Sequence, residues 1–421
     1  YEHLPTKEVI HELGEADRRC WRCGQPYQAI EGDEVSTEIE WRVEVYRKEH
    51  HRRRYRRCCR CDGSPAVMVA PVVPKVIPKG LLSPLAIAQV LVDKFALARP
   101  ANKIIAALRL QGLELAPGSL AGMLHKVAGL LAPLQEALFA HARQASWWNC
   151  DETSWACFFD PDALPGARRR KWWLWVARGQ EVTVFLLAPH RSAEVLDRLL
   201  GAKEEAVSGI VGSDMYAAYG CLDQVRFVNA WCWAHVRRHI RRAAASAGGL
   251  GAWSEGWLQA IATMYRAWHT RRRGTDDGRA LKESVADMRA RLDAQLSHPE
   301  LLVPQARAVL QMMDSHWAGL VVFVSHPEIG PDNNAAERAL RSEVLLRKSC
   351  GGSGAPWAAE LAAAAFSVVA TVAQWGLNPL TYLTDYLSAC ALAGGRAPEE
   401  LSPYLPWSAP PGHLERWRSP P

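Results

Sequence analysis

One stretch, Ala206 to His239 (AVSGIVGSDMYAAYGCLDQVRFVNAWCWAHVRRH), constrains the fold more than any other. It opens on the short apolar run Val207 to Val211, broken by Ser208 and Gly209, which has the length and β-branched content of a buried strand. Asp214 follows where that strand should end. A helical turn is expected over Met215 to Tyr219, and a second strand over Val225 to Val228. A basic helix then opens at Trp231-Cys232-Trp233-Ala234-His235. A carboxylate at the end of a buried strand is where α/β folds place chemistry. Its competing role is a plain cap on the next helix, and this stretch alone does not decide between them.

The chain has 421 residues, 49% hydrophobic and 22% charged, which is enough for two or more domains with their own cores. No apolar run is expected to span a membrane, and the start, YEHLPTKEV, does not read as a signal peptide. The first residue is Tyr, so the chain can be a piece of a longer one. The net charge of +6 is modest, but arginine is clustered: Arg52 to Arg57, Arg168 to Lys171, Arg237 to Arg242 and Arg271 to Arg273. Clustered arginine suits phosphate contact, although any one cluster can be a solvated face. Arg52, Arg53, Arg54, Arg56, Arg57, Arg237 and Arg238 are the candidate DNA contacts. The 11 cysteines are odd in number, with five near the N-terminus, which is not the layout of a secreted disulfide framework. A reducing, cytoplasmic setting fits.

Taken in order, the chain divides into segments 1–65, 66–84, 85–142, 143–236, 237–324, 325–350 and 351–421. The first carries Cys20-x-x-Cys23-Gly24 and Cys58-x-x-Cys61, two knuckles that together make a tetrahedral thiolate site for one structural Zn²⁺. Between them Ser36 to Arg57 alternates in character (Ile39, Trp41, Val43, Val45), as expected of a two-stranded ribbon. Cys59 leaves the fourth ligand open. Segment 66–84, with Pro71, Pro74, Pro78 and Pro84, reads as a stiff linker. Segment 85–142 is helical. Leu85, Ala88, Val92 and Phe95 share a face, and two further amphipathic stretches lie at Ile104 to Leu110 and Leu120 to Leu134. Ser119 is the expected N-cap of the last. This segment is either a helix-turn-helix DNA-binding region or a helical spacer.

From Ser146 the pattern turns to strand, with Asp151 inside or at the edge of the first. Trp172 to Ala177 and Val182 to Leu187 make a hairpin, and Ser192 to Leu200 a helix. Three strands, a helix, the strand before Asp214, a turn of helix, a strand and a helix follow the order of a ribonuclease-H-like domain. Val236 to Val324 reads as an all-helical insertion, rich in tryptophan, with no strand before Leu320 to Val324. After it, Asp332 or Asn333 caps a helix on which Glu337 and Arg341 stand four residues apart, the spacing of a surface ion pair. Taken together, Asp151, Asp214 and Glu337 lie on two strands and a late helix that such a sheet can bring together. Hard carboxylate oxygens suit Mg²⁺ or Mn²⁺, and a pair of such ions serves phosphodiester displacement.

The chain resembles the DDE transposases of the insertion-sequence sixty-six type over nearly its whole length. The resemblance rests on the zinc ribbon, Asp151-Glu152-Thr153, Asp214 with Tyr216 and Tyr219, and Cys232-Trp233-Ala234-His235. It also rests on Asp332-Asn333-Asn334-Ala335-Ala336-Glu337-Arg338-Ala339, on Arg347-Lys348 and on Leu405-Pro406-Trp407. It implies a multidomain α+β protein: a zinc ribbon, a helical DNA-binding region, and a ribonuclease-H-like catalytic domain with an all-helical insertion. It implies Asp151, Asp214 and Glu337 as the catalytic triad holding two Mg²⁺ or Mn²⁺. Cys232 and His235 match a C-x-x-H motif of related families, here taken as structural. The implied partners are the element ends and target DNA, further copies of the chain in the DNA complex, and accessory proteins of the same element. The implied setting is the bacterial cytoplasm, at the nucleoid when DNA is bound. The chain departs from the family in an expanded loop, Phe159 to Arg170, and in Ser349-Cys350-Gly351-Gly352-Ser353-Gly354 where an aromatic stretch is usual. Two rival functions use the same residues. A ribonuclease-H-like nuclease is opposed by the zinc ribbon and the insertion, and a non-catalytic DNA-binding protein is opposed by the complete carboxylate set.

Overall fold

The computed structural model describes residues 6–419 apart from 16, 29–31, 33, 40–42, 60–62, 64, 162–169, 205, 223 and 275–276. The chain forms two compact units, residues 1–44 and 45–421. In the first, a tight turn closes between Arg18 and Tyr27. Arg19 pairs antiparallel with Pro26, Gly24 N–H donates to Cys20 O (2.8 Å), and Gly24 takes φ +76°, a value that suits glycine.

The second unit begins with β1 (Arg54–Arg56), paired antiparallel with β2 (Val67–Val69). This corrects the expected ribbon. Among the described residues Ser36 to Arg53 form no strand, and the partner of Arg54–Arg56 comes from the stretch read as a linker. Both strands are exposed, so the alternation in Ser36 to Arg57 had no core to face.

Three helices follow: α1 (Pro84–Leu91), continued by a π-helical turn at Val92–Ala96, then α2 (Ala101–Leu110) and α3 (Pro117–Ala142). Ser119 is not the cap of α3; Ala116 holds that position, and Pro117 starts the helix with its preset φ. Then come β3 (Trp147–Cys157), β4 (Arg170–Arg178), β5 (Thr183–Ala188), α4 (Glu194–Leu200), β6 (Gly209–Ser213), α5 (Ala217–Gly220) and β7 (Phe227–Trp231). The predicted elements are all present here, with ends shifted by a few residues.

The five strands form one mixed sheet in the order β5-β4-β3-β6-β7. β3–β4 and β4–β5 pair antiparallel, whereas β3–β6 and β6–β7 pair parallel. β6 lies close against β3 because two of its residues lack side chains. A Cβ at Gly209 would stand 2.5 Å from Ser146 O, and one at Gly212 would stand 2.7 Å from Asn149 Oδ1.

The helical stretch comprises α6 (Trp233–Ser246), α7 (Gly251–Arg272), α8 (Arg279–Leu296), α9 (Pro304–Ser315), α10 (Trp317–Leu320) and α11 (Val322–Ser325). Its core gathers Trp257, Ile261, Met264, Leu292, Leu310 and Met313 around the buried face of α6 and takes in Ile210 of β6 and Ala230 of β7. Leu320 to Val324 is helical, not a strand. The β-branched run favours extension, but these residues pack on β7, where Gly319 lets the backbone approach Trp231 and Asn229, and Trp233 Nε1 donates to Leu320 O (2.7 Å).

The chain ends with α12 (Asn334–Ala339), α13 (Arg341–Cys350), α14 (Pro356–Gln374), α15 (Pro379–Leu392) and α16 (Pro411–Arg418). Contrary to the expectation from sequence, α14 is long and apolar enough to cross a membrane by length and composition, yet 67% of that window is buried in the protein. It packs against α3 and the edge strand β5. Ser367 Oγ accepts from Phe185 N–H (2.8 Å), and Thr371 Oγ1 accepts from Thr183 N–H (3.1 Å), so hydroxyls occupy donors that an open sheet edge would expose.

Candidate active site

The register of the sheet sets Asp151 beside Asp214. Asn149 of β3 faces Gly212 of β6 in the parallel ladder, and each acid lies two residues further along. Asp151 sits within β3. Asp214 is the first residue after β6, and its Oδ1 accepts from Tyr216 N–H (3.0 Å). Glu337 comes from α12, which packs on β3 and β4. Burial first, then the charge of Glu152, and then those of Asp214 and Glu337 push the Asp151 carboxyl up to about 7, against one opposing hydrogen bond from Glu152 N–H. Asp151 is therefore in electrostatic reach of both Asp214 and Glu337.

His235, on the first turn of α6, stands with Nε2 3.8 Å from Glu337 Oε1. Burial and then Arg238 hold its imidazole below the usual range, against the pull of Asp214 and Glu337, and its Nδ1 is buried with no hydrogen-bond partner among the described residues. Glu337 makes no ion pair with Arg341 among the described residues, because the helix is interrupted at Leu340 between α12 and α13. Cys232 Sγ accepts from Asn333 N–H (3.2 Å), and burial pushes its thiol up to about 11. The Cys232 and His235 pair thus joins α6 to the segment carrying Glu337.

Glu152 points away from Asp151, as strand alternation requires. It is held by Arg191 and by the Tyr219 hydroxyl (2.7 Å). Arg347 Nη1 donates to Thr153 Oγ1 (2.8 Å) and Ser154 O (2.6 Å), fixing the strand just past the acids. Sequence reasoning did not find Arg191. It stands alone before α4 with no periodic or motif signal, and only the fold brings it to Glu152.

The donor set suits a hard divalent cation: carboxylate oxygens from two strands and a helix, with a mutual repulsion that a cation would relieve. Among the described residues no three His, Cys, Asp or Glu side chains close into a compact cage. Mg²⁺ ordinarily takes only one or two carboxylates and completes its shell with water and substrate phosphate.

The remaining predicted residues lie apart. Cys20 and Cys23 belong to the first unit and Cys58 to the second, while Cys61 lies outside the described residues. The Cys20 thiol is held below its usual value by the backbone N–H groups of Cys23 and Arg22. Arg52, Arg53, Arg54, Arg56 and Arg57 are exposed around β1. Arg237 and Arg238 share an open groove on α6 with Arg241 and Arg242. Arg168 and Arg169 lie outside the described residues.

The fold and site define a mixed α+β protein whose acidic centre lies between a mixed sheet and a late helix. The chain belongs to the transposase IS66 family, whose model matches residues 79–361, from before α1 through both strands and Glu337. That family implies phosphoryl transfer in general, with DNA as the partner. Three proteins of Sinorhizobium fredii are similar. The "Uncharacterized protein y4jD" is 25% identical, covering 96% of this chain and 80% of its own. The "Uncharacterized protein y4hP" is 23% identical, covering 92% and 73%. The "Uncharacterized protein y4qI" is 24% identical, covering 83% and 67%. No solved structure matches the chain significantly.

Proposed function

We propose that this chain is a DNA transposase that binds the ends of an insertion sequence and catalyses cleavage and strand transfer. Asp151, Asp214 and Glu337 are its catalytic carboxylates. One observation carries the reading: Asp151 and Asp214 stand side by side at the centre of the sheet, and Glu337 approaches from α12 closely enough to help raise the Asp151 carboxyl. The strand order β5-β4-β3-β6-β7, with its antiparallel half and parallel half, supports a ribonuclease-H-like core. The core of Trp257, Ile261 and Leu310, which reaches Ile210 and Ala230 of the sheet, supports a helical insertion seated on it.

Asp151, Asp214 and Glu337 would hold two Mg²⁺ or Mn²⁺, which when bound activate an attacking oxygen and stabilise a leaving one. The chain's own part is placement. The β3–β6 register fixes the two aspartates, Tyr216 N–H orients Asp214, and α12 presents Glu337 beside His235. Arg237 and Arg238 extend from the same helix as His235 and can meet DNA phosphates. Cys20, Cys23, Cys58 and Cys61 would hold one structural Zn²⁺, a reading supported by their paired spacing in the sequence; the turn that presents Cys20 and Cys23 and the N–H groups aimed at Cys20 support a thiolate at Cys20. Further copies of the chain and accessory proteins would join it on DNA in the bacterial cytoplasm.

A strand-transfer assay on DNA ends tests the reading. Glu337→Gln, Asp151→Asn and Asp214→Asn should bind ends normally and lose cleavage and joining. Double mutants should be no worse, because the three act as one unit. Near-normal transfer by Glu337→Gln in Mg²⁺ or in Mn²⁺ would remove it from the site. Cleavage without joining by the unaltered protein would favour a nuclease, and binding alone would favour a DNA-binding protein.

A further inference from the structure

Three consecutive residues ahead of α12 are each tied to a different element. Pro331 C=O accepts from Trp233 N–H at the start of α6 (2.9 Å). Asp332 Oδ2 accepts from the Tyr265 hydroxyl of α7 (3.1 Å), and its Oδ1 accepts from Asn334 N–H (3.1 Å). Asn333 makes the central set. Its Nδ2 donates to Cys150 O in β3 (2.6 Å), its N–H donates to Cys232 Sγ (3.2 Å), and its C=O accepts from Ala336 and Glu337 N–H (3.1 and 3.2 Å).

Asn333 stands at the N-cap position of α12, where an asparagine side chain ordinarily bonds the helix's own first N–H groups. Here the side chain makes no capping bond and reaches across to the sheet. It is 1% exposed, and its Nδ2 bond to Cys150 O offsets part of the cost of burying the amide, while its Oδ1 has no hydrogen-bond partner among the described residues. Its partner on the sheet is the residue immediately before Asp151, and its C=O opens the helical turn that ends on Glu337. The side chain and backbone of one residue therefore connect the strand of the first carboxylate, the helix of the third, and the helix of His235.

We propose that Asn333 is a positioning residue that sets Glu337 against Asp151, with Cys232 Sγ as the second anchor of the same latch. This rests on the reading of Asp151 and Glu337 as partners in one cation site. The latch transmits no chemistry itself. It fixes the separation at which the two carboxylates meet a shared ion, and outer-shell groups of this kind commonly alter metal affinity or rate by about 10–100-fold when removed.

The test uses the full chain and two readouts: Mn²⁺ binding without DNA, followed by electron paramagnetic resonance of the free ion, and the single-turnover strand-transfer rate. Asn333→Leu keeps the side-chain shape and removes the Nδ2 donor. Both Mn²⁺ affinity and rate should fall by about 10–100-fold while affinity for DNA ends is unchanged. Cys232→Val should weaken Mn²⁺ binding in the same sense, and Cys232→Ser, whose hydroxyl can still accept from Asn333 N–H, should retain more of it. Unchanged Mn²⁺ affinity and rate in Asn333→Leu overturn the proposal and leave the transposase reading standing. If Asn333→Leu does not fold, the cysteine pair decides: equal Mn²⁺ affinity for the Val and Ser variants overturns it. Wild-type protein that binds no Mn²⁺, with Glu337→Gln transferring strands normally, removes Glu337 from the cation site and overturns the latch with it, whereas wild-type protein that joins no strands overturns the transposase reading itself.

Discussion

Arg191 donates through both Nε (2.9 Å) and Nη2 (2.5 Å) to one carboxylate oxygen of Glu152, the residue next to Asp151 in β3. The Tyr219 hydroxyl takes the other oxygen (2.7 Å), and the guanidinium lies 3.6 Å from the centre of the Tyr216 ring. Tyr216 in turn donates its hydroxyl to Arg191 O (2.8 Å) and its N–H to Asp214 Oδ1 (3.0 Å). One face of β3 thus presents Asp151, and the other anchors a network that ends on Asp214.

The Glu152 side chain is 1% exposed, so removing its cation strands a buried charge. Arg191→Ala should destabilise the protein by about 3 kcal/mol, the lower end for a broken buried pair, because Arg191 itself is partly solvated. Urea unfolding measures this. A loss under about 1 kcal/mol would class the pair with ordinary surface bridges.

A second buried acid carries a pH signature. Glu343 on α13 is 4% exposed, with Ser342 Oγ donating to it (3.0 Å), and burial pushes its carboxyl up to about 7 from 4.5. The folded state therefore prefers the neutral acid. The stability gained from that preference is full below about pH 4.5, is lost as pH rises towards 7, and is absent above. Glu343→Gln should leave Tm unchanged near pH 4.5 and raise stability at pH 8 by up to about 3 kcal/mol. Thermal melts with chelator present check this, and parallel Tm profiles for both proteins would refute it. Asp151 shifts the same way but is common to both.

The zinc expectation is tested on the full chain by metal analysis after purification without chelator. One Zn²⁺ per chain should be found, and Cys20→Ser with Cys58→Ser should release it. Zinc kept by the double variant would assign it to other ligands.

Salt titration separates the two arginine groups. Replacing Arg52, Arg53 and Arg54 with alanine, or Arg237 and Arg238, should flatten the dependence of end binding on salt by about 0.9 for each phosphate left unneutralised. An unchanged slope marks that group as a solvated face.

The strand pattern of the sheet was legible because each strand is a short apolar or alternating run bounded by turn residues. The same logic failed at Leu320 to Val324, where packing on β7 outweighs the β-branched preference for extension. Asp151, Asp214 and Glu337 could be named as acids on two strands and a late helix, but the neighbours that hold them could not. Arg191 is 39 residues from Glu152, and Asn333 is 183 from Cys150, separations at which no local spacing is informative. The run Ser349 to Gly354 read as a departure from the family. In the fold Ser353 N–H donates to Ala156 O (2.8 Å), and Gly352, at φ +144° with no room for a Cβ, lets the chain lie against the end of β3.

The last expectation concerns the strand that places Asp214. A methyl at Gly209 would meet backbone, Ser146 O at 2.5 Å, and the ring of Trp148 at 2.8 Å, both fixed parts of the core. A methyl at Gly212 would crowd Asn149 Oδ1 at 2.7 Å, the end of a side chain that can turn aside, and would touch Trp148 O at an ordinary 3.5 Å. Gly209→Ala must therefore push β6 from β3, whereas Gly212→Ala need only displace one amide. Overpacking of this kind costs about 1–3 kcal/mol, which should fall on Gly209→Ala, with Gly212→Ala below about 1 kcal/mol. A shift of β6 also carries Asp214 away from Asp151, and a misplacement near 1 Å can cost about 100-fold in rate. Strand transfer should follow the same ranking as stability, with Gly209→Ala strongly impaired and Gly212→Ala close to wild type. The reverse ranking, or full activity in Gly209→Ala, would mean that the β3–β6 register does not set the distance between the two aspartates.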